Sequence, residues 1–311
     1  MKTFKDLQEM QGWSLDQKVF HTIEVVETFM SRTGGGKIDP LKFYVSFSGG
    51  VDSLVLLHIC RRFIDKDLLA VYCQTGQEWS EISKFVKTFD NVEIIRPKYT
   101  AKQIVEKYGF PLVSKEVSQY VYETRTAKEG SKLKEKRLGL LGNEFAIPKR
   151  WLYLVNTDFQ ISHLCCHYLK KEPFHRYEKE TGRKPIIGIT AEESLLRTTE
   201  WIKRGGCNSF SGRVASYPMS IWKSQDVWDY IKRENIQYCS IYDKLLRKQT
   251  GCVMCGFGAH LSNDKLKALL QIHPKMYDWA MKLENNGVTY RKALKRVGVE
   301  LPDEYPDLFN D

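Results

Sequence analysis

The most informative stretch of the chain is Phe43-Tyr44-Val45-Ser46-Phe47-Ser48-Gly49-Gly50-Val51-Asp52-Ser53-Leu54-Val55-Leu56-Leu57-His58-Ile59. Its first part is aromatic and β-branched, which is typical of a buried strand. Ser48, Gly49 and Gly50 interrupt that pattern, and apolar residues at helical spacing follow. The stretch therefore predicts a strand, a tight glycine turn and a helix.

Such a turn directs backbone N–H groups and the positive end of a helix dipole toward one point. Glycines let the backbone approach an anion closely because they carry no Cβ. Ser48 and Ser53 add hydroxyl donors, and Asp52 is placed to hold a Mg²⁺ ion that bridges phosphates. The expected ligand is a phosphate chain, although the turn lacks the Gly-Lys-Ser/Thr sequence of the Walker motif. A chance Gly-Gly turn in an ordinary strand–helix unit is the alternative.

Length and composition narrow the class of protein. A chain of 311 residues predicts about two domains, or one large α/β domain with an appendage. The net charge of +10 favours polyanionic partners such as nucleic acid. A mean hydropathy of −0.42 and the lack of a long apolar run argue against a membrane span, and the N-terminus shows no secretory signal. We therefore expect a cytoplasmic protein.

Three regions are expected along the chain. They are a helical segment at 1–38, an α/β nucleotide-binding domain at 39–235, and a region at 236–311 that carries a Cys-x-x-Cys sequence and helices. Strand patterns at 68–73, 91–96 and 184–190 alternate with helical ones, which predicts a doubly wound, mainly parallel sheet. Because ligands bind beyond the carboxyl ends of such strands, the loops at 48–53 and 75–81 are expected to share one cleft.

Residues 111–150 are expected to form an inserted, loop-like region. They carry a dense basic run: Arg125, Lys128, Lys132, Lys134, Lys136 and Arg137. One interpretation is a solvated face. The other is an arm that contacts a phosphate backbone and orders on binding.

The eight cysteines do not resemble a disulfide framework. Two pairs stand out, Cys165-Cys166 and Cys252-x-x-Cys255, because four thiolates can hold zinc or an iron–sulfur cluster. Adjacent cysteine side chains diverge, which disfavours a single tetrahedral zinc but suits a [4Fe-4S] cluster, where each binds its own iron. Zinc, simple packing and a redox pair remain the alternatives, and the other four cysteines are expected to pack in the core.

The turn resembles the Ser-Gly-Gly-x-Asp-Ser loop of the PP-loop ATP pyrophosphatases, which cleave ATP between its α and β phosphates. The two cysteine pairs, with residues 167–251 between them, resemble the iron–sulfur type of the PAPS/APS reductase family in that superfamily. Further segments that resemble the family lie at 188–197, 218–228 and 241–243.

The resemblance implies a site. The nucleotide, ATP or a sulfonucleotide with Mg²⁺, would be bound by Ser46, Ser48, Gly49, Gly50, Asp52, Ser53, Gly76, Glu81, Gly188, Glu193, Ser194 and Arg197. Asp52 and Arg197 would be the catalytic residues, since a bound cation and a guanidinium both stabilise developing phosphate charge. The [4Fe-4S] cluster would be held by Cys165, Cys166, Cys252 and Cys255.

Three departures from the family pattern change the expected reaction. Gln74 stands where an aspartate is usual, and Thr190 and Ala191 stand where the reductases have arginines. No cysteine follows Cys255, whereas the reductases attack sulfur with a cysteine near their C-terminus.

We therefore expect ATP-dependent adenylation of a nucleic acid, tRNA or DNA, followed by sulfur transfer, as in tRNA thiolases and DNA phosphorothioation proteins. The expected partners are a sulfur donor such as a cysteine desulfurase and, from the family, a second copy of the chain. Two alternatives stay open. One is a reductase that takes its thiol from a partner protein, and the other is a non-catalytic protein that binds nucleotide or nucleic acid.

Overall fold

The computed structural model describes residues 2–245 and 250–302. Contacts group the chain into two units, of which the first comprises 1–74, 79–96 and 174–249, and the second 75–78, 97–173 and 250–311. The boundaries predicted at residues 38 and 235 do not appear in this grouping. Within the described ranges, no helix has both the length and the apolar character needed to cross a bilayer.

The elements of the first unit follow the predicted alternation. Its strands are β1 (Phe43–Ser46), β2 (Ala70–Cys73), β3 (Val92–Ile95), β5 (Lys184–Ile187), β6 (Asn208–Ser209) and β7 (Ala215–Ser216). Its helices are α1 (Phe4–Gln11), α2 (Leu15–Thr33), α3 (Val51–Phe63), α4 (Ser80–Val86), α8 (Glu172–Thr181, from residue 174 onward), α9 (Leu195–Arg204), α10 (Ser224–Arg233) and α11 (Ile241–Lys244).

The elements of the second unit are shorter. Its strands are β4 (Leu112–Val113), β8 (Gly256–Phe257), β9 (Glu284–Asn285) and β10 (Val288–Thr289). Its helices are α5 (Ala101–Tyr108), α6 (Lys115–Thr126), α7 (Lys132–Arg137), α12 (Asp264–Ile272), α13 (Pro274–Met281) and α14 (Tyr290–Arg296), with a 3₁₀ segment at Lys149–Asn156 and a π turn at His167–Lys171.

The first unit is built on a six-stranded sheet of order β3-β2-β1-β5-β7-β6. The strands run parallel except β6, which pairs antiparallel with β7. Neighbouring residues on a strand point to opposite faces. Phe43 lies 5.6 Å from the α2 residue Phe29, and Tyr44 lies 5.3 Å from the α8 residue Tyr177, measured between ring centroids. Helices therefore cover both faces, which confirms the doubly wound, mainly parallel fold.

In the second unit, two parts of the chain distant in sequence are joined. β4 pairs in parallel with β8, so residues 112–113 lie beside 256–257. Gly256 makes this possible, since a Cβ there would lie 2.4 Å from the Tyr290 hydroxyl and 2.6 Å from the carbonyl oxygen of Pro111. The region 111–150 is not the predicted loop, because α6 and α7 occupy much of it.

Candidate functional site

The glycine turn sits at the carboxyl end of the central strand β1 and leads directly into α3. Gly49 has a φ of 74°, in the left-handed region that disfavours side chains. A Cβ at Gly49 would also lie 2.8 Å from the Val86 side chain and 2.9 Å from that of Ile82, both on α4. Backbone conformation and packing therefore each require glycine at this position.

A hydrogen-bond network between two serines fixes the turn. The Ser53 hydroxyl donates to the carbonyl oxygen of Gly50 at 2.9 Å and accepts from the Ser48 N–H at 3.1 Å. The two hydroxyl oxygens are 3.0 Å apart, and because the Ser53 proton is used, Ser48 is the donor between them. Ser48 Oγ in turn accepts from the Gly50 N–H at 3.3 Å. Both predicted serines thus shape the turn itself.

The first N–H groups of a helix have no partner within the helix. In α3 one of them, on Val51, donates to the Tyr242 hydroxyl oxygen at 3.2 Å. Asp52 and Ser53 are the next two residues of this first turn. The turn thus presents donors and the positive end of the α3 dipole at the edge of the sheet.

Asp52 is half-buried at this edge. The pKa of its carboxyl group is raised to about 6, mainly by burial. The charge of Glu192 also raises this pKa, whereas the nearby Arg197 lowers it. Burial likewise lowers the pKa of Arg197, while Asp52 raises it. The two predicted catalytic residues therefore lie within electrostatic range of each other, although Asp52 and Arg197 are far apart in sequence.

Arg197 is held by the segment that follows β5. Its guanidinium forms an ion pair with Glu193, one turn earlier. Its backbone N–H donates to the Ser194 hydroxyl oxygen at 3.3 Å. Ser194 is the N-cap of α9. Glu192 accepts a hydrogen bond from the Ser224 N–H at 2.7 Å. Glu193 thus orients the guanidinium and Ser194 caps the helix that carries it, while their predicted contact with nucleotide stays a prediction.

Gly188 has a packing role that explains its residue type. A Cβ there would lie 3.0 Å from Ser53 Cα and 3.1 Å from the carbonyl oxygen of Asp52. The end of β5 therefore contacts the first turn of α3 backbone to backbone.

Glu81, on α4 of this unit, forms an ion pair with Lys244 at 3.1 Å. Ser46 is the last residue of β1. Gly76 belongs to the second unit, where it has a φ of 74° and open space around the position of a Cβ.

The four predicted cysteines lie in the second unit and are half-buried. A hydrogen bond with Cys166, burial and the charges of Cys166, Cys255 and Cys252 raise the pKa of the Cys165 thiol. The same hydrogen bond lowers the pKa of the Cys166 thiol, and the positive charges of the lysines at 115, 170 and 171 lower it further. Burial acts in the opposite direction and raises this pKa. The two pairs are thus near enough to interact electrostatically.

Side-chain hydrogen bonds hold the backbone of the loop that carries Cys252 and Cys255. Lys265 Nζ donates to the carbonyl oxygen of Cys252 at 3.0 Å and to that of Cys255 at 2.8 Å. The Tyr290 hydroxyl donates to the carbonyl oxygen of Met254 at 2.9 Å. In the described ranges, no three or more His, Cys, Asp or Glu side chains are grouped so that they could hold a metal ion. The loop is thus fixed by its backbone.

A family model for the phosphoadenosine phosphosulfate reductase domain matches residues 42–257. The chain belongs to this family. The match begins at the residue before β1 and ends with β8, so it includes the glycine turn, Arg197 and all four cysteines.

The curated relatives of this chain differ in length. An uncharacterized protein of Methanocaldococcus jannaschii is 28% identical over 68% of this chain, and a second is 26% identical over 85%. The matched parts are 35% and 53% of those two proteins, so the chain spans about a third to a half of them. Adenosine 5'-phosphosulfate reductase 2 of Bacillus subtilis is 22% identical, over 85% of this chain and 90% of its own length.

Solved structures show a weaker likeness. A phosphoadenylyl-sulfate reductase from Candida auris, solved as a phosphate complex, has 15% identity and a TM-score of 0.42, over 81% of this chain and 96% of its own. An FMN adenylyltransferase from Candida glabrata has 11% identity and a TM-score of 0.40, over 77% and 65%.

Three residues that support the two sites were not predicted from the sequence. Tyr242 accepts from the first turn of α3, Glu192 raises the pKa of Asp52, and Lys265 clamps the cysteine loop. Tyr242 and Glu192 lie in the segments 241–243 and 188–197, which resemble the family. No local signal marks Lys265, because its contacts span ten residues or more.

Proposed function

We propose that the chain is an ATP pyrophosphatase that adenylates a nucleic acid, tRNA or DNA, and thereby prepares it for sulfur transfer. The observation that carries this proposal is the glycine turn at the start of α3, with the Asp52 carboxylate and the Arg197 guanidinium within electrostatic range of each other. This arrangement provides donors, a cation site and a positive charge for one phosphate chain.

In the proposed first step, an acceptor oxygen attacks the α phosphorus of ATP. A phosphorus–oxygen bond forms, the bond to the oxygen bridging the α and β phosphates breaks, and pyrophosphate leaves with that electron pair. Backbone N–H groups of α3 hold the phosphates, where a phosphate oxygen would replace the Tyr242 hydroxyl as acceptor for Val51. Arg197 neutralises the charge that develops on the leaving group.

Asp52 suits a Mg²⁺ ion that accompanies the nucleotide. Mg²⁺ is usually bound by one or two carboxylates together with substrate phosphates and water. Such a site needs fewer than three protein ligands. It is therefore compatible with the finding that the described residues form no group of three or more metal-binding side chains. A cation beside Asp52 would also favour the charged carboxylate that burial disfavours.

We propose that Cys165, Cys166, Cys252 and Cys255 hold the [4Fe-4S] cluster. A single zinc ion would draw all four thiolates to one atom. A four-iron cluster instead takes each thiolate on a separate iron, so the two cysteine pairs supply its four ligands. The half-buried thiols and the lysines near Cys166 fit this anionic group. When bound, the cluster supplies one-electron chemistry.

The second step requires a sulfur donor, for which we propose a persulfide such as a cysteine desulfurase carries. Its terminal sulfur attacks the activated atom, and AMP leaves with the oxygen. A thiol then cleaves the sulfur–sulfur bond, so one sulfur stays on the acceptor and the donor is released as a disulfide with that thiol.

The test is release of pyrophosphate from ATP by protein purified without oxygen, with and without bulk tRNA and single-stranded DNA. We expect release that depends on Mg²⁺ and nucleic acid, and its loss in Asp52→Asn and Arg197→Gln. The matched control is Asp16→Asn, since Asp16 is the second residue of α2 as Asp52 is of α3. ATP binding without pyrophosphate release in every condition would contradict catalysis and favour a nucleotide-binding component.

A second candidate is reduction of a sulfonucleotide with a thiol supplied by a partner. The relative from Bacillus subtilis favours it, because this chain matches 90% of a protein named as an adenosine 5'-phosphosulfate reductase. It predicts release of sulfite from adenosine 5'-phosphosulfate or its 3'-phosphorylated form when thioredoxin or glutathione is added. Sulfite without pyrophosphate would establish this candidate in place of the first.

A further inference from the structure

The second unit carries a group of three partly exposed tyrosines, two at the ends of α5 and one in the π turn. Tyr99 precedes α5, Tyr108 ends it, and Tyr168 lies in the π turn. Tyr108 and Tyr168 stack with ring centroids 5.0 Å apart and planes 13° from parallel, and Tyr99 meets Tyr168 edge to face at 5.6 Å. We call these three residues the tyrosine platform.

The platform is not a core cluster. Tyr99 is 41% exposed, and the other two tyrosines are half-buried. The Tyr108 and Tyr168 hydroxyls are hydrogen-bonded to each other at 2.9 Å rather than to the backbone. His167, which is exposed, meets Tyr168 at 5.0 Å. The rings therefore extend the aromatic surface toward solvent.

The last turn of α5, which carries Tyr108, is held in place by hydrogen bonds. The buried amide of Asn285 donates to the carbonyl oxygens of Val105 and Glu106 at 2.8 and 3.0 Å, which fixes the last turn of α5 beneath Tyr108. Gly109, with a φ of 91°, lets the chain turn against Gln160 immediately afterwards. A rigid aromatic surface loses little entropy when a ligand stacks on it.

The charge around the platform is positive. Lys107 Nζ lies 5.3 Å from the ring centroid of Tyr108. Lys98 and Lys102 are close to Tyr99 in sequence, with side chains 62% and 65% exposed, and their contacts with Glu172 and Glu106 are long, at 3.8 and 3.7 Å. Exposed ion pairs of this kind are weak and exchange readily for a phosphate.

We propose that the tyrosine platform and Lys107 bind a single-stranded stretch of nucleic acid, with unstacked bases on the rings and phosphates at the lysines. Proteins that bind single strands combine aromatic side chains, on which bases stack, with a positively charged path for the backbone. The bases of a duplex stack on one another, so few of their faces are free to stack on the platform. The inference deepens the proposed function, since it depends on nucleic acid as the acceptor.

The experiment measures fluorescence anisotropy of a fluorescein-labelled 20-nucleotide RNA, the same sequence as DNA, and the matching duplexes, all without ATP. Stacking contributes about 1–3 kcal/mol per base, so Tyr99→Ala is expected to weaken single-strand binding by about 5- to 150-fold. Tyr99→Phe keeps the ring and should bind within about twofold of the unmodified protein. Lys107→Gln should lower the salt dependence of binding by about one charge.

The matched control is Tyr153→Ala. Tyr153 is in the same unit, is 46% exposed and donates to the carbonyl oxygen of Arg296, and it is not one of the three platform residues. The proposal is overturned if Tyr99→Ala binds single strands as well as the control does, if duplex binds as tightly as single strand, or if no single strand binds. Pyrophosphate release, measured on the same protein preparations after ATP and Mg²⁺ are added, separates the two ideas. Activity without a Tyr99 effect on binding refutes only the platform, whereas Tyr99-dependent binding without activity refutes only the adenylation.

Discussion

Replacing Asp52 by asparagine is expected to stabilise the first unit while it abolishes nucleotide chemistry. The folded chain raises the pKa of Asp52 from 3.8 to about 6, mainly by burial. The folded state therefore binds this proton more tightly than the unfolded state does, and ionised Asp52 opposes folding. Each pKa unit corresponds to about 1.4 kcal/mol, so the shift costs about 3 kcal/mol above pH 6.

The pH window follows from the sign of the shift. Below pH 3.8 both states hold the proton and Asp52 contributes nothing. Between pH 3.8 and 6 the unfolded state ionises first, so stability falls as pH rises, and above pH 6 the whole cost is present. Asparagine removes this cost but also gives up a negative charge at a helix N-terminus, worth about 0.3–1 kcal/mol. We expect a net gain of about 2 kcal/mol at pH 8 that has largely disappeared at pH 4.

Urea unfolding followed by tryptophan fluorescence measures this gain, since five of the seven tryptophans, at 13, 79, 201, 222 and 228, belong to the first unit. With a slope of about 2 kcal/mol per molar urea, the midpoint at pH 8 should rise by about 1 M. The control Asp16→Asn removes an aspartate from the same helix position in α2, where it is 88% exposed and paired with Arg233. It should lower the midpoint slightly at both pH values. Equal midpoints for Asp52→Asn and the unmodified chain at pH 8, or a gain of equal size at pH 4, would refute the reasoning.

Three further substitutions test the turn and the cysteine loop. Gly49→Ala should cost about 1–3 kcal/mol in urea unfolding and abolish ATP binding, whereas Gly35→Ala, with a φ of 71° and open space, should cost only about 1 kcal/mol and leave binding intact. Gly188→Ala should weaken ATP binding measured by calorimetry, because its Cβ displaces the first turn of α3; unchanged affinity would contradict this. Lys265→Met should reduce the iron bound per chain after anaerobic purification, since it leaves two carbonyls without their donor, while the exposed Lys282→Met should keep it.

The local part of the fold was predictable because its signals are local. Phe43–Ser46 and Val51–Phe63 follow from apolar patterning, and the turn between them follows from Gly49, whose φ of 74° few other residues adopt. Strand β3 lies within one residue of the predicted 91–96 at each end. The family resemblance assigned Asp52 and Arg197 separately to the nucleotide site, and only the folded chain shows that the two influence each other electrostatically.

The prediction failed where tertiary contacts overrode composition. The basic run that begins at Arg125 suggested a solvated loop, yet Val117, Tyr120, Val121 and Thr124 of α6 are buried at helical spacing. The pairing of β4 with β8 joins residues 144 positions apart through strands of two residues each, which are too short to leave a pattern in the sequence.

The contacts made by the basic residues at 125–137 show why net charge alone does not locate a nucleic-acid surface. Arg125 donates to the carbonyl oxygens of Phe159 and Thr157, and Arg137 bonds to Glu123 at 2.6 Å, so both ends of the run serve the unit's own structure. A cation used in this way must break a partly buried contact before it can bind a phosphate. Lys107 is exposed, and its contact with the half-buried Tyr108 ring is weaker than such a bond, so it can meet a phosphate at lower cost. Nucleic-acid affinity should therefore fall more with Lys107→Gln than with Arg137→Gln, while Arg137→Gln should lower the urea midpoint more.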